Sequence, residues 1–593
     1  MRILHREHED FDDLEARTVL ASGEVIKVDK KDFHKNTIKT GGRGGDLYVT
    51  VFAFPALEPG CIIEYKYEKK TKGIEFLEKW YFQNELYTFH SEITAEVSSF
   101  FIYNYYLFPP GVISKPVGET TSYYRDGVER KKGLYTWELD NIPEVVREPH
   151  SPPVNSCRIQ IFFALSALNI PRRGRNPEMI PIFDSWKSVV KMYYRMYRSI
   201  EDSKEIRAVA EECTGSSTDR AGKIRDIFNY IKAELHYSRS SATEISPASP
   251  KSTLKNKKGD TADLSALMIQ MLRDVDIEAH PAVILTRHDP PFLHNFPSPT
   301  QLTKMIVYVP DPEAPLWIDP AGSFVDYKNL PWTDQGQTAL IIDSEEGTFS
   351  KTPSSRSREN VISHEATMTI SPDGSMEVDG SVILSGLPEE EWVRKIDKMT
   401  DEERRKYVKQ KVCQFITDAE ITALDCPQDI SKALRDSEDS LRIHYCFTSA
   451  SAVQAISDRL IVNPALSHRS SASSYESVRR FYPVVFKYPY SINVKTKIIV
   501  PEGFELEEAP KAANSKRSYG RYMRNIEDKG NELLYEKKYS LPKIMFSAQK
   551  YSVIRKYYQK LESMDKENLV LRKKGLFSEQ DSTQPGSSVN DNE

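Results

Sequence analysis

Residues 257–287, KKGDTADLSALMIQMLRDVDIEAHPAVILTR, decide how the rest of the chain is interpreted. Gly259 and Asp260 turn into a helix that ends near Asp276, and a strand follows over residues 281–286. Leu264, Leu267, Met268, Met271, Leu272 and Val275 recur at i, i+3, i+4, i+7, i+8 and i+11, the spacing of one buried helix face. Thr261 lies three residues before Leu264 and shares that face at the first turn, next to the positive end of the helix dipole. A fold that wanted an ionised cysteine would place it there, and the residue is threonine. Asp260 suits the N-cap of this helix, and Asp263 in the first turn is favoured by the dipole.

Outward from this stretch, 593 residues suggest about three or four domains of an ordinary globular composition. The net charge of −5, with one short basic patch at Arg172-Arg173-Gly174-Arg175, argues against nucleic-acid binding. Six cysteines (Cys61, Cys157, Cys213, Cys413, Cys426, Cys446) show no CxxC spacing, which argues against a metal site and yields no disulfide framework. No cofactor motif is present. No apolar run is long enough to cross a bilayer, so no transmembrane segment is expected; the longest, 159–170, contains Gln160, Ser166 and Asn169. No signal peptide is visible, and the chain opens abruptly in strand-like sequence, as an incomplete N-terminus would.

Residues 1–160 are β-rich, with a hairpin candidate turning at Ser22-Gly23, strands at 61–67, 80–82 and 100–106, and another turn at Asp126-Gly127. The Pro-rich run 148–153 marks an exit. Helical spacing covers Trp186 to Tyr197, then 204–213 and 220–235; a loop with Ser-Pro and Lys-rich turns leads to the central helix. Strands are expected at 281–286, 305–309, 315–318 and 338–342, so residues 161–345 form an α+β unit. After a polar linker at 346–358, residues 359–550 return to β pattern, beginning with a hairpin turned at Ser371-Pro372-Asp373-Gly374 and interrupted by a charged helix over 388–416. The tail, 551–593, combines a charged helical stretch to about 572 with a disordered end.

The central stretch resembles the core of the bacterial transglutaminase-like superfamily, in which Gly-Asp-Cys opens the helix. Residues 303–309 resemble the segment that carries the family's histidine, and Leu316-Trp317-Ile318-Asp319-Pro320 the one that carries its aspartate. FPALEPGCIIEY, within residues 53–67, is similar to β domains that flank this core in large, mostly extracytoplasmic bacterial proteins; residues 541–546 carry a diffuse match on the C-terminal side. The resemblance implies an α+β multidomain chain with an N-terminal β-rich domain, a central papain-like transglutaminase core and a C-terminal β-sandwich-like domain.

It also implies a chemistry of three parts: a thiolate attacks a carbonyl, a histidine moves the proton, and an aspartate orients the histidine. The matching positions are Thr261, Lys304 and Asp319, so only the aspartate type is kept. A Lys304–Asp319 ion pair with the Thr261 hydroxyl hydrogen-bonded beside it is the expectation, because a neighbouring carboxylate favours the charged ammonium. His294 is the candidate replacement base, although His294 in its Pro/Phe loop, His288 and His280 all have ordinary packing explanations. Cys213 at a helix end suits a structural thiol. Asp260, His294 and Trp317 are the candidate cleft residues, with Trp317 equally suited to the core. Two functions stay open: a pseudoenzyme that binds a peptide, protein or glycan or scaffolds its β domains, and an active amidase, peptidase or acyltransferase with rearranged residues near Thr261.

Overall fold

The computed structural model describes residues 1–6, 9–38, 47–70, 77–112, 116–125, 128–172, 176–198, 203–238, 245–322, 326–427, 429–431, 434 and 440–575. The chain divides into two compact units, Met1–Ser355 with Phe481–Lys487, and Arg356–Arg480 with Tyr488–Glu593. Among the described residues, no helix is long and apolar enough to cross a membrane.

The first unit opens with small antiparallel sheets. Asp10–Val19 pairs with both Val25–Lys27 and Ile62–Lys70, and the hairpin between the first two turns at Ser22-Gly23 as expected, with Gly23 at φ +89°. Val117–Arg125 pairs with Val128–Ile142, closing at Arg125 opposite Val128; the expected turn at Asp126-Gly127 lies outside the described residues, as do Arg173, Gly174 and Arg175. Phe82, Trp137, Ile142, Ile161 and Phe163 form the buried core beneath these strands. The Pro-rich run is not a simple exit. The Glu148 carboxylate accepts from the backbone N–H groups of Phe481 (2.8 Å) and Tyr482 (3.0 Å), and Val485 N–H donates to His150 C=O at 2.7 Å. Partners more than 300 residues apart leave no local signal.

Four helices fall where the spacing places them: α1 (Trp186–Arg198), α2 (Lys204–Thr214), α3 (Arg220–Glu234) and α5 (Thr261–Asp274). The loop before α5 contains a further helix, α4 (Pro250–Asn256). Ser249 caps it, Pro250 occupies the first turn where no N–H is needed, and Lys257 ends it at φ +52°. The expected single buried face of α5 is a correction: every residue from Ala262 to Leu272 is buried. Helices α2, α3 and α4 pack around it and the sheet covers the remaining side, so its polar residues are bonded internally. Ser265 donates to Met305 C=O at 3.1 Å, and Gln270 to the Asp274 carboxylate at 3.0 Å.

The sheet beside α5 has five antiparallel strands in the order Leu316–Ile318, Lys304–Val309, His280–Ile284, Thr338–Ile341 and Thr348–Lys351. The edge strand Thr348–Lys351 lies inside the stretch expected as a linker. Successive residues alternate between faces. Val283, Met305, Val307, Ile318 and Leu340 belong to the core shared with the helices. Ala282, Ile284, Ile306, Trp317, Ala339 and Ile341 form a separate core on the other face, closed by Leu330.

The second unit is built on an eight-stranded sheet whose central strand Val361–Ile370 pairs in parallel with Tyr490–Ile499; the hairpin to Met376–Ser385 is present in full register. The helix expected over 388–416 is two, Leu387–Ile396 and Asp401–Val412, divided where Thr400 and Glu403 form a capping box. The charged stretch near the C-terminus is helical over Tyr551–Asp565 and then a strand, Leu569–Lys573; the tail beyond 575 lies outside the described residues.

Asp263 carries the start of α5. One oxygen accepts from Ala248 N–H at 2.5 Å and the other from Asp260 N–H at 3.0 Å, while the residue itself is buried. Asp263→Ala leaves two half-buried donors without their acceptor and should cost roughly 1–3 kcal/mol. The midpoint of urea unfolding measures it, and a change under 1 kcal/mol would show that water replaces the carboxylate.

Candidate functional site

The site begins with a close approach. A Cβ at Gly259 would lie 2.6 Å from the Cβ of Asp263, so only glycine lets the chain turn this tightly into α5. Asp260 then accepts from Ala262 N–H at 2.8 Å and Asp263 N–H at 3.0 Å, and Asp263 reciprocates. Thr261 is therefore the first helical residue, half-buried at the positive end of the dipole.

Lys304 opens the strand Lys304–Val309. By alternation its side chain shares the face of Ile306, where the core of Trp317 and Leu330 lies. Its ammonium donates to the Asp319 carboxylate, and to Asp334 at 2.6 Å. Both carboxylates are 0 % exposed and the lysine side chain 13 %. Asp319 also accepts from Ala321 N–H at 3.0 Å, and a Cβ at Gly322 would lie 2.0 Å from its other oxygen, so glycine is required there too. Asp334 accepts from the Thr333 hydroxyl at 2.8 Å, and its backbone carbonyl from Thr352 at 2.5 Å.

Three charges then share one enclosed space. Burial alone would lower the pKa of Lys304, but the Asp319 and Asp334 charges outweigh it and hold the ammonium above the usual lysine range. Burial opposes ionised Asp319 as well, yet Lys304 keeps that carboxyl below its usual range, helped by Gly322 N–H. Asp334 is pushed up to about 6, first by burial and then by the Asp319 charge, with Lys304 opposing. One ammonium neutralises one carboxylate; the second holds its proton more tightly.

The expected Lys304–Asp319 pair is thus present, and Asp334 was missed. Its segment, Pro331-Trp332-Thr333-Asp334, has no motif, and only the loop's return to the sheet brings it to the lysine. Among the described residues no hydrogen bond joins the Thr261 hydroxyl to Lys304 or Asp319, a correction to the expected arrangement; the ammonium is engaged by two carboxylates instead. The candidate cleft residues separate. Asp260 is the helix cap. His294 is exposed, its ring against Phe292 (4.8 Å) and Phe349 (5.9 Å), and its carbonyl accepts from Trp186 Nε1 at 2.7 Å, which places it in a surface aromatic group. Trp317 is buried against Tyr308 on the sheet face away from the helices, so it is core and not cleft wall. His288 packs edge-on to Trp332, and His280 bonds Glu278 at 2.9 Å. The Cys213 thiol donates to Ala210 C=O within α2, and burial pushes it up to about 11.

Residues 207–309 match the model of the transglutaminase-like superfamily, and this range contains both Thr261 and Lys304. The chain contains a transglutaminase-like core. It is flanked by two domains of unknown function whose families have solved structures, DUF3857 at residues 6–146 and DUF3858 at residues 458–571. A crystal structure described as a "putative protease" from Parabacteroides distasonis ATCC 8503 superimposes at TM-score 0.62 and 13 % identity, covering 96 % of this chain and 91 % of that one. The fold is therefore shared with that protein over most of both chains. A second, described as a "putative cysteine protease" from Cytophaga hutchinsonii, is 15 % identical and covers 46 % of this chain and 89 % of its own, but a TM-score of 0.19 gives it no weight. No curated protein matches the chain.

The charge cluster makes stability depend on pH in two opposing ways. Asp319, depressed when folded, stabilises at neutral pH, and that contribution is lost on acidification below about pH 4. Asp334, raised when folded, stabilises below about pH 4, and its contribution is lost as pH rises through about 6. Thermal melts across this range should show Asp334→Asn removing the decline between about pH 4 and 6, leaving a variant at least as stable as wild type at pH 8. Lys304→Ala should cost roughly 3–5 kcal/mol at pH 8, because two buried carboxylates lose their cation. An Asp334→Asn variant that loses more stability at pH 8 than at pH 5 would contradict the assigned direction.

Proposed function

We propose that the transglutaminase-like core of this chain performs no acyl transfer and serves as a pseudoenzyme module that binds a peptide, protein or glycan or scaffolds the flanking β domains. The observation that carries this is the engagement of Lys304 by two buried carboxylates. A threonine hydroxyl is a very weak acid and needs a base poised near neutral pH. Lys304 occupies the position of the family's histidine, but an ammonium with two carboxylate partners and a raised pKa holds its proton. His294, the candidate replacement, is bound into a surface aromatic group, which leaves the hydroxyl without an imidazole from that loop.

Purified full-length protein, assayed for amide hydrolysis and for amine incorporation into glutamine peptides, should show no turnover above buffer and no change in Thr261→Ala. Turnover that Thr261→Ala abolishes would establish the opposite reading, an active amidase or acyltransferase. The binding role separates from the scaffolding role through Thr261→Trp, which sets a bulky ring at the α5 N-terminus. Binding to peptide and glycan libraries should fall with this variant if the old cleft is used, and should stay unchanged if the core only supports its neighbours.

A further inference from the structure

The eight-stranded sheet of the second unit carries a donor set that the reading above does not use. Val378, Ile443, Tyr445 and Phe447 point inward and are fully buried. The residues between them on Met376–Ser385 and Leu441–Ser449 therefore face outward. These include Asp379, His444 and Cys446, with Asp379 directly opposite Cys446 and Ser381 opposite His444. One Asp379 oxygen lies 3.2 Å from His444 Nε2, and the other 3.5 Å from Cys446 Sγ. Taking one ligand atom from each residue, all three lie within 4.8 Å of one another.

We propose that Asp379, His444 and Cys446 bind a borderline-soft divalent cation of the zinc class. A carboxylate oxygen, an imidazole nitrogen and a thiolate sulfur are the donors zinc takes, and bond lengths of about 2.0–2.3 Å require ligand atoms roughly 3.3–3.7 Å apart around a tetrahedron. The separations of 3.2 and 3.5 Å run to the two different oxygens of Asp379, so the carboxylate reaches both strand ligands, and with one atom from each residue the three donors lie within 4.8 Å, close enough for side-chain rotation alone to draw them onto one ion. A surface His–Asp pair would account for two of the groups; the thiol on the same carboxylate makes a third donor of a different kind.

The backbone beneath is held in place. Tyr445, between the two strand ligands, stacks on His364 and Phe447 and donates to or accepts from His364 Nε2, whose other nitrogen meets Ser467 at 2.7 Å. A Cβ at Gly380 would fall 2.7 Å from the Tyr445 hydroxyl, so the glycine beside Asp379 lets that ring sit flat under the sheet. Rigid elements are what a metal site needs to hold its geometry. Asp379 is exposed and His444 and Cys446 are half-buried, so solvent reaches the cluster and a water or an anion can serve as fourth ligand. Three protein ligands and an open position is the pattern of a zinc site that does more than brace the fold. The absence of CxxC spacing, which argued against a metal, does not apply to a His-x-Cys pair on one strand completed by the strand beside it.

The test is titration of the reduced full-length protein with Co²⁺ alone, followed by absorption. One equivalent should bind and give tetrahedral d–d bands with a thiolate-to-cobalt charge-transfer band, and Zn²⁺ should displace it. Cys446→Ser should abolish the charge-transfer band. His444→Ala and Asp379→Asn should each weaken binding at least about tenfold, whereas His90→Ala, in an exposed His-Glu-Glu group on another sheet, should leave it unchanged. Absence of stoichiometric binding in the wild type, or a charge-transfer band that survives Cys446→Ser, would overturn the assignment.

Discussion

A single ammonium between two fully buried carboxylates fixes one end of the central sheet. Lys304 begins one strand, Asp319 follows the next, and Asp334 lies in the loop that returns to a third. Each carboxylate passes the constraint onward: Asp319 caps the turn at Ala321, and the carbonyl of Asp334 holds Thr352 beyond the edge strand. An uncompensated buried charge costs several kcal/mol, against a net folding stability of about 5–15 kcal/mol. The three segments are therefore mutually dependent, and loss of the lysine would affect all of them.

That cluster also marks the boundary of what local sequence reveals. Helix α5 was legible because its apolar spacing extends over three turns and Gly259 and Asp260 announce its start. Even so, spacing alone suggested one buried face, since it cannot show that α2, α3 and α4 enclose the helix. Lys304 and Asp319 were found through the positions they occupy in a resembling core. Asp334 was invisible because charge pairing across a loop follows topology and not spacing. In the second unit two signals were present and outweighed by charge: the Thr-x-x-Glu box at Thr400–Glu403, and the alternation of Leu569 and Leu571 that makes a strand after the last helix.

The second unit uses a related device with a different balance. Lys537 is buried against Asp565 and donates to His468 C=O at 2.8 Å, while Asp565 accepts from Tyr522 at 2.7 Å and Ser470 N–H at 2.6 Å. This ties the Tyr551–Asp565 helix to the sheet. Burial lowers the pKa of Lys537, and the nearby Arg469 and Arg524 add to that, against the single carboxylate of Asp565.

The contrast between the two lysines bears on the chemistry. A lysine becomes a base when burial and neighbouring cations outweigh its counter-ions. Those conditions act on Lys537, which packs inside a β-rich unit with its hydrogen bonds occupied. Lys304, which sequence resemblance sets against the family's histidine, has the reverse surroundings: two carboxylates and a raised pKa. A lysine with a single carboxylate partner would be a group that a hydrophobic pocket could still neutralise. Placing Asp334 beside Asp319 removes that route, because the second carboxylate stabilises the charge that catalysis would require the lysine to give up. The same contacts that make the sheet rim coherent thus keep the lysine charged, and structural cohesion and a raised pKa follow from one arrangement.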